Sequence, residues 1–490
     1  MKQQILICGF LFMFLTLSCN ESVIDESTLT QKQSVTDKLK SATIGTTYYV
    51  STTGSNSNPG SETLPLLTAA YAASKVNPGD IVIFENGIYT GTPGNFFATL
   101  TRSGTSSAYI TFKARNKGRA ILDGQNNLAL AGFSIGGSYI NISGFEIKGM
   151  LGVGIEVRNG ASYLNFSDLN IHDIGRGAFQ NDDGRTAFTL GTGGSIVIER
   201  CIIHTIGAYA PGEYGCTYSN DWTGYQTLDH GIYIAGTNHL TIKNNVFYDC
   251  KSGFAIQFYC GTGNPSSYVD IINNTFVNGN PYQKAGHIIL WNSLSNSLIA
   301  NNIFKNHLSY AINVYQGSYN YSNVTITKNI TSGGNGIISV GTATGVSIIN
   351  NLNSTDPLFT NEIMHDYSLK SNSPAVNAGY NIGLTTDILN NTKTTIDIGA
   401  YGSLSSISSP APSLTTYYNS QKSVSTPKND CGSGYIGSTV TYIVEANKYS
   451  STISQDDADN KALVDLEDHK QTYANTNGTC SAIKTYQRRH

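Results

Sequence analysis

Apolar and polar positions alternate in short bursts along Asp229–Phe258, DHGIYIAGTNHLTIKNNVFYDCKSGFAIQF, and the bursts make one full turn of a repeat. A strand over Gly231–Ile234 passes through Gly236 to a second strand, Leu240–Ile242. An Asn244-Asn245 corner leads to a third, Val246–Tyr248, before a strand begins again in Gly253–Phe258. Period-two alternation in runs this short marks strands rather than helix. Three strands per repeat, with asparagine at one corner, predict an all-β chain wound as a right-handed parallel β-helix, a solenoid of three sheets.

The segment starting at Leu240 has equivalents at Ile140 (INISGFEI), Leu164 (LNFSDLNI), Ile196 (IVIERCII), Val269 (VDIINNTF), Ser297 (SLIANNIF), Val324 (VTITKNIT) and Val346 (VSIINNLN). Successive starts lie 24, 32, 44, 29, 28, 27 and 22 residues apart, so two coils carry insertions. The sixth residue gives a column of asparagines: Asn245, Asn274, Asn302, Asn329 and Asn351. Stacked asparagines can hydrogen-bond from coil to coil and tolerate a left-handed corner, so a bonded column is expected. The first-sheet strands align as GIEV (Gly154), AFTL (Ala187), GIYI (Gly231), AIQF (Ala255), HIIL (His287) and AINV (Ala311), their second and fourth residues inward. One outward column is then Glu156, Thr189, Tyr233, Gln257, Ile289 and Asn313. The next is Arg158, Gly191, Ala235, Tyr259, Trp291 and Tyr315. The three aromatics could form a platform for apolar sugar faces, or a stack that only steadies the coils. A column on the third sheet, Lys148, His172, His204 and Tyr248, could flank the groove, but such histidine stacks are often structural, and it is not taken as the active site.

Charged residues make up 13% of the 490, against roughly 25% in ordinary domains. A formal charge of −3 gives no reason to expect nucleic acid or an anionic membrane surface as partner. The 50 glycines and 30 tyrosines, with abundant Asn, Ser and Thr, suit an extracellular β-rich protein, expected as a monomer. Residues 1–18 read as a secretory signal, because Lys2 precedes an apolar run, Ile5–Leu17, too short to span a bilayer comfortably. The run ends in Thr16-Leu17-Ser18-Cys19, which resembles a bacterial lipobox. That resemblance implies lipidation of Cys19, membrane contact through the lipid alone, and an outer-membrane or cell-surface location. The alternative is a plain signal peptide and a periplasmic or secreted protein. Residues 19–46 read as a polar tether, 47–402 as the β-helix domain and 403–413 (SLSSISSPAPS) as a Ser/Pro linker. Residues 414–490 read as a small α+β module with a helix opening at Ser454-Gln455-Asp456-Asp457. Cys431 and Cys480 lie near its two ends and are expected to pair, since a domain this small needs a staple.

The words YYVSTTGSNSNPG, NPGDIVIFENGIY and YITFKARNKGRAILDG resemble the N-terminal cap of secreted β-helix proteins of the pectate-lyase-like superfamily, polysaccharide lyases among them. A short cap helix over Leu66–Lys75 belongs to that reading, since the first coil would otherwise expose its apolar end. DPLFTNEIMHDYSLKSNSPAVNAG and IDIGAYG resemble the closing segment of the same architecture. GSTVTYIVEANKYSSTISQDDADNKAL and QTYANTNGTC resemble a C-terminal domain of unknown function on secreted bacterial proteins. The resemblance implies a substrate groove along the first sheet, walled by the loop after the third. Both long insertions, Gly175–Arg185 and Gly207–Leu228, fall in that loop.

Titratable residues gather there. Lys251 or His230 is the expected base, Tyr233 the proton donor, and Arg185, Gln257, Tyr259, His287, Trp291 and Tyr315 the substrate contacts. Asp182, Asp183 and Asp229 could hold Ca²⁺ through hard oxygen ligands, although Asp182-Asp183-Gly184 also reads as a surface turn and His230 as a packed corner histidine. A Cys216–Cys260 pair would pin the long insertion to the groove wall; Cys201 and Cys250 read as buried thiols, and four cysteines allow three pairings. Three functions stay open: a lyase acting on an acidic polysaccharide by β-elimination, a glycoside hydrolase on the same groove, or a non-catalytic glycan-binding or adhesive surface lipoprotein.

Overall fold

The computed structural model describes residues 45–176, 184–207, 228–250, 253–259, 263–279, 286–314, 319–339, 344–403, 417–451 and 455–482. Residues 1–44, with Cys19, lie outside this set, as do Asp182, Asp183, Cys216, Lys251, Cys260 and Tyr315. Among the described residues no helix is long and apolar enough to cross a membrane.

Parallel strands stack into three sheets of 12, 9 and 9 strands, the right-handed β-helix that the repeat predicts. The segments starting at Ile140, Leu164, Ile196, Leu240, Val269, Ser297, Val324 and Val346 all lie in the 12-stranded sheet, in the register read from the sequence. That sheet begins with Thr47–Val50, which pairs in parallel with Ile81–Phe84. The cap helix is shorter than expected and covers Ala69–Lys75. The Thr68 hydroxyl accepts the Tyr71 N–H at 3.2 Å and stops the helix there, while Leu66 is buried and bridges Val50. Inward residues of all three sheets form one apolar core. Its rings also stack along the axis, Phe247 on Phe276 at 4.7 Å and Phe276 on Phe304 at 4.9 Å.

The asparagine column is continuous, and it is buried from Asn245 to Asn329. The Oδ1 of Asn274 accepts both the backbone N–H and the side-chain N–H of Asn245, at 2.9 and 3.0 Å. The same double acceptance recurs at Asn302, Asn329 and Asn351. Cys201 extends the column by backbone alone, donating its N–H to Asn245 Oδ1 at 2.8 Å. The expected left-handed backbone is not in this column. It falls one residue earlier, at Asn244, Asn273, Asn301, Lys328 and Asn350, with φ between 52° and 56°. The corner turns on that residue, and the next asparagine is thereby aimed inward.

Residues 356–403 fold back along the outside of the third sheet. Phe359, Tyr367, Ile388, Ile398 and Ala400 pack on Val246, Val277, Ile303 and Ile330. The left-handed asparagines serve as cleats for this strap. Asn244 donates to Thr386 O, Asn273 to Asp397 O and Gly399 O, and Asn301 to Tyr380 O. Lys305, with Asp356 and Glu362, adds a charged fastening.

The C-terminal module has its own small core, Val444, Ala462 and Leu466. Lys422–Pro427 pairs antiparallel with Thr439–Val444, and a helix runs over Gln455–Asn477. Cys431 and Cys480 form a disulfide across 49 residues of sequence, with Cα atoms 5.8 Å apart. Cys201 and Cys250 are buried free thiols.

Candidate active-site groove

The outer face of the first sheet carries the predicted column in unbroken register, Glu156, Thr189, Tyr233, Gln257, Ile289 and Asn313, with Ser134 one coil before it. Glu156 accepts a hydrogen bond from the Ser134 hydroxyl and lies 3.4 Å from Arg158 Nε. The two coils that bear the insertions bring in Thr189 and Tyr233, and Gln257 follows one coil later. Both insertions leave third-sheet strands, Asn170–Ile174 and Ile202–Ile206, and re-enter the first sheet at Thr186 and His230.

The aromatic column is not flat. Tyr259 and Trp291 meet edge to face, with centroids 4.9 Å apart at 68°, and Tyr233 tilts by 46° toward Tyr259. A sugar would lean on one ring face at a time.

Several expected site residues are packed away. His230 is 1% exposed, and its Nδ1 accepts the Phe254 N–H at 3.1 Å. Burial lowers its pKa to about 3, so it is a neutral fastener of the turn and a poor candidate for the base. His287 is buried between Phe276 and Phe304, and its Nε2–H donates to Lys305 O at 3.0 Å. It is not a substrate contact. Its position in the strand belongs to a column of small residues, Gly154, Ala187, Gly231, Ala255 and Ala311, at the tight corner between third and first sheets. A Cβ on Gly231 would stand 2.5 Å from Ala255 O. His287 is the exception that fills this corner. Gln257 is only 6% exposed although it stands on the outward face. Arg185 is buried, and its backbone N–H donates to Asp229 Oδ1 at 2.9 Å.

Asp229 therefore braces the end of one insertion. Asp182 and Asp183 lie outside the described residues, and among the described residues no three His, Cys, Asp or Glu side chains gather to hold a metal. The described residues do not by themselves make a Ca²⁺ site. Lys251 sits between Tyr248, the end of a third-sheet strand, and Ile256, the start of the next first-sheet strand.

On the third sheet His172, His204 and Tyr248 stack at 4.6 and 4.4 Å, and the strap adds His365 at 4.4 Å from Tyr248. Burial alone would lower the His172 pKa, but hydrogen bonds to Asp173 and Glu146 raise it to about 9. Burial, with charged His172 beside it, holds His204 well below the usual range. The signs are opposite. The His172 contribution is complete below its ordinary value of 6.5 and is lost as pH rises toward about 9. Buried neutral His230 and His287 contribute above 6.5 and lose that contribution as pH falls toward about 3. The melting temperature should thus fall on both sides of near-neutral pH, and His172→Gln should flatten the alkaline limb alone. Thermal unfolding followed across pH checks both; an unchanged alkaline limb in the variant would remove His172 as its cause.

Residues 48–275 match the family model described as Pel9A-like, right handed beta helix region, and residues 222–392 a second described as right handed beta helix region. This is a right-handed β-helix protein of the pectate-lyase-like kind. The β-helix is followed by a match to the family of unknown function DUF5977 over residues 417–481. Among curated proteins the chain is 26% identical to Pectate lyase L of Dickeya dadantii (strain 3937), over 58% of this chain and 72% of that protein. It is 24% identical to the uncharacterized protein YwoF of Bacillus subtilis (strain 168), over 60% and 76%. The crystal structure of pectate lyase Pel9A superposes with a TM-score of 0.51 at 19% identity, covering 74% of this chain and 98% of that one, a likeness of fold.

Sequence reasoning missed Ser134 as a groove residue, although it precedes Glu156 by one coil in the same column. It also passed over the residue just before each second-sheet segment, which forms the exposed ladder described below.

Proposed function

We propose that this protein is an exported polysaccharide lyase that cleaves an acidic polysaccharide by β-elimination in the groove on its first sheet. The observation that carries the reading is the similarity to Pectate lyase L over 72% of that protein, on a chain whose groove-facing columns lie in one register. Lys251 takes the proton from the carbon beside the uronic carboxylate. The freed electron pair forms the carbon–carbon double bond, the neighbouring glycosidic C–O bond breaks, and Tyr233 protonates the departing oxygen. Tyr259, Trp291 and Tyr315 hold sugar faces. A hydrolase would need two carboxylates flanking the bond. Among the described residues of the two outward columns Glu156 is the single one, which favours elimination. Residues 1–18 direct export, and Cys19 carries the lipid that tethers the protein to a membrane.

The test is incubation with polygalacturonate, alginate and rhamnogalacturonan, read by ultraviolet absorbance of the unsaturated product and by reducing ends. Absorbance supports elimination; reducing ends without absorbance would transfer the groove to a hydrolase, and neither would leave a binding protein. Trp291→Ala should weaken binding of the cleaved polymer by about 1–3 kcal/mol with little change in melting temperature. A lowered melting temperature with binding intact would make the ring structural only.

A further inference from the structure

A second column of side chains runs along the corner where the first sheet turns into the second, away from the insertions. Its members occupy one register: Tyr109, Tyr139, Tyr163, Ser195, His239, Tyr268, Asn296 and Asn323. From Tyr139 onward each has a left-handed backbone, φ between 50° and 58°. One backbone conformation throws every side chain the same way, and the rings stack. Tyr139 lies on Tyr163 at 4.5 Å and 2°, and His239 lies on Tyr268 at 4.7 Å and 14°. Further along, Asn323 donates to Asn296 at 3.0 Å.

Ser195 interrupts this ladder. With a hydroxymethyl group in place of a ring, it leaves Tyr163 and His239 two coils apart, about 9.6 Å at the usual strand spacing. One further ring at half that height would meet each neighbour at the separation that the ladder already uses. Tyr163 is 43% exposed, so the vacant rung is open to solvent.

A cavity of about 350 Å³ lies at the same corner, lined by Thr192, Gly193, Gly236, Asn238, Asn264, Pro265, Ser266, Ser267 and Ser295. Thr192 and Gly193 lead into Ser195, Asn238 precedes His239, and Ser267 precedes Tyr268. None of the described lining residues carries a charge, and hydroxyls and amides dominate. Ser266 is fully buried in this wall, and among the described residues its hydroxyl has no hydrogen-bond partner.

We propose that this corner binds one uncharged sugar ring, its apolar face sandwiched at Ser195 between Tyr163 and His239 and its hydroxyls directed to the Asn238–Asn264–Ser266 cavity. The chemistry selects the ligand. A sugar ring alone combines a stackable apolar face with a rim of hydroxyls, and a lining without cations offers an acidic sugar nothing to neutralise it. Gly191 and Ala235, in the groove's second column, run directly into Thr192 and Gly236, so a neutral branch of a polymer held in the groove would reach this corner. The site does not depend on the reaction assigned to the groove.

The test is calorimetric titration of the full chain with xylotetraose, galactotetraose and cellotetraose, and with tetragalacturonate as the acidic comparison. At least one neutral oligosaccharide should bind. Ser195→Tyr should weaken that binding about tenfold or more by completing the ladder. Its melting temperature should be unchanged or raised, since tyrosine already occupies this backbone conformation at Tyr139 and Tyr163. Tyr163→Ala, at an exposed position, should weaken the same ligand without unfolding the chain. Tetragalacturonate binding should be indifferent to both. The proposal is overturned if none of the three neutral probes binds, if Ser195→Tyr and Tyr163→Ala both leave neutral binding intact, or if they weaken the acidic probe equally. All readouts are binding, so they stand apart from the presence or absence of unsaturated product.

Discussion

Replacing Asn274 with alanine is expected to destabilise the β-helix by about 3–5 kcal/mol, more than any surface substitution, because the side chain completes five hydrogen bonds in a place without water. Its Nδ2 donates to Ile242 O at 2.9 Å, Ile272 O at 3.2 Å and Asn302 Oδ1 at 3.0 Å. Its Oδ1 accepts the backbone and side-chain N–H groups of Asn245. Alanine takes away the acceptor that the buried Asn245 N–H groups share, and it removes one donor to the Ile242 carbonyl. In a solenoid each coil is held chiefly by its neighbours, so damage in the middle separates two stacks. Asn323→Ala removes a single exposed bond to Asn296 and should cost under about 1 kcal/mol. Denaturant unfolding of the two variants beside the parent decides the matter; equal midpoints would mean that the buried ladder adds nothing beyond the strand pairing.

The largest expected effect on activity is at Lys251. If it is the base, Lys251→Ala should lower kcat on the cleaved polymer by about 10²–10⁴-fold with the melting temperature unchanged. Lys251→Arg should be nearly as poor, because a guanidinium keeps its proton. The other base expected from the sequence is set aside by geometry: the Nδ1 lone pair of His230 is held by the Phe254 N–H and the ring is buried. His230→Leu should therefore act mainly on stability. Retention of full activity by Lys251→Ala on a polymer that the parent cleaves would remove lysine from the chemistry and return the base to an unassigned groove residue.

The two effects differ in how well the sequence announces them. Asn274 is legible because a β-helix repeats its local pattern at every coil: five asparagines at one offset imply one column, and side-chain hydrogen bonds hold that column together in register. Even so, sequence alone does not say which member of an Asn-Asn corner turns and which points inward, and the left-handed residue is the one before the column. The interior alternation was equally legible, with Ile155, Phe188, Ile232, Ile256, Leu290 and Val314 all buried.

The groove residues were not legible in the same way. Period-two alternation says which face of a sheet a residue occupies and nothing of what covers that face. Gln257 stands on the outward face and is nevertheless buried, and His287 turns into a corner that five other coils fill with glycine or alanine. Asp229 counted as a free carboxylate in the sequence, and the chain folds it onto the Arg185 N–H across 44 residues. The amino-acid sequence by itself determined the coil, its register and the buried ladder, because those follow from contacts between equivalent positions of neighbouring repeats. Tertiary structure alone decided which polar side chains face solvent and where the strap of residues 356–403 lies. Those depend on segments far apart in the chain meeting at one place, and no local period encodes such a meeting.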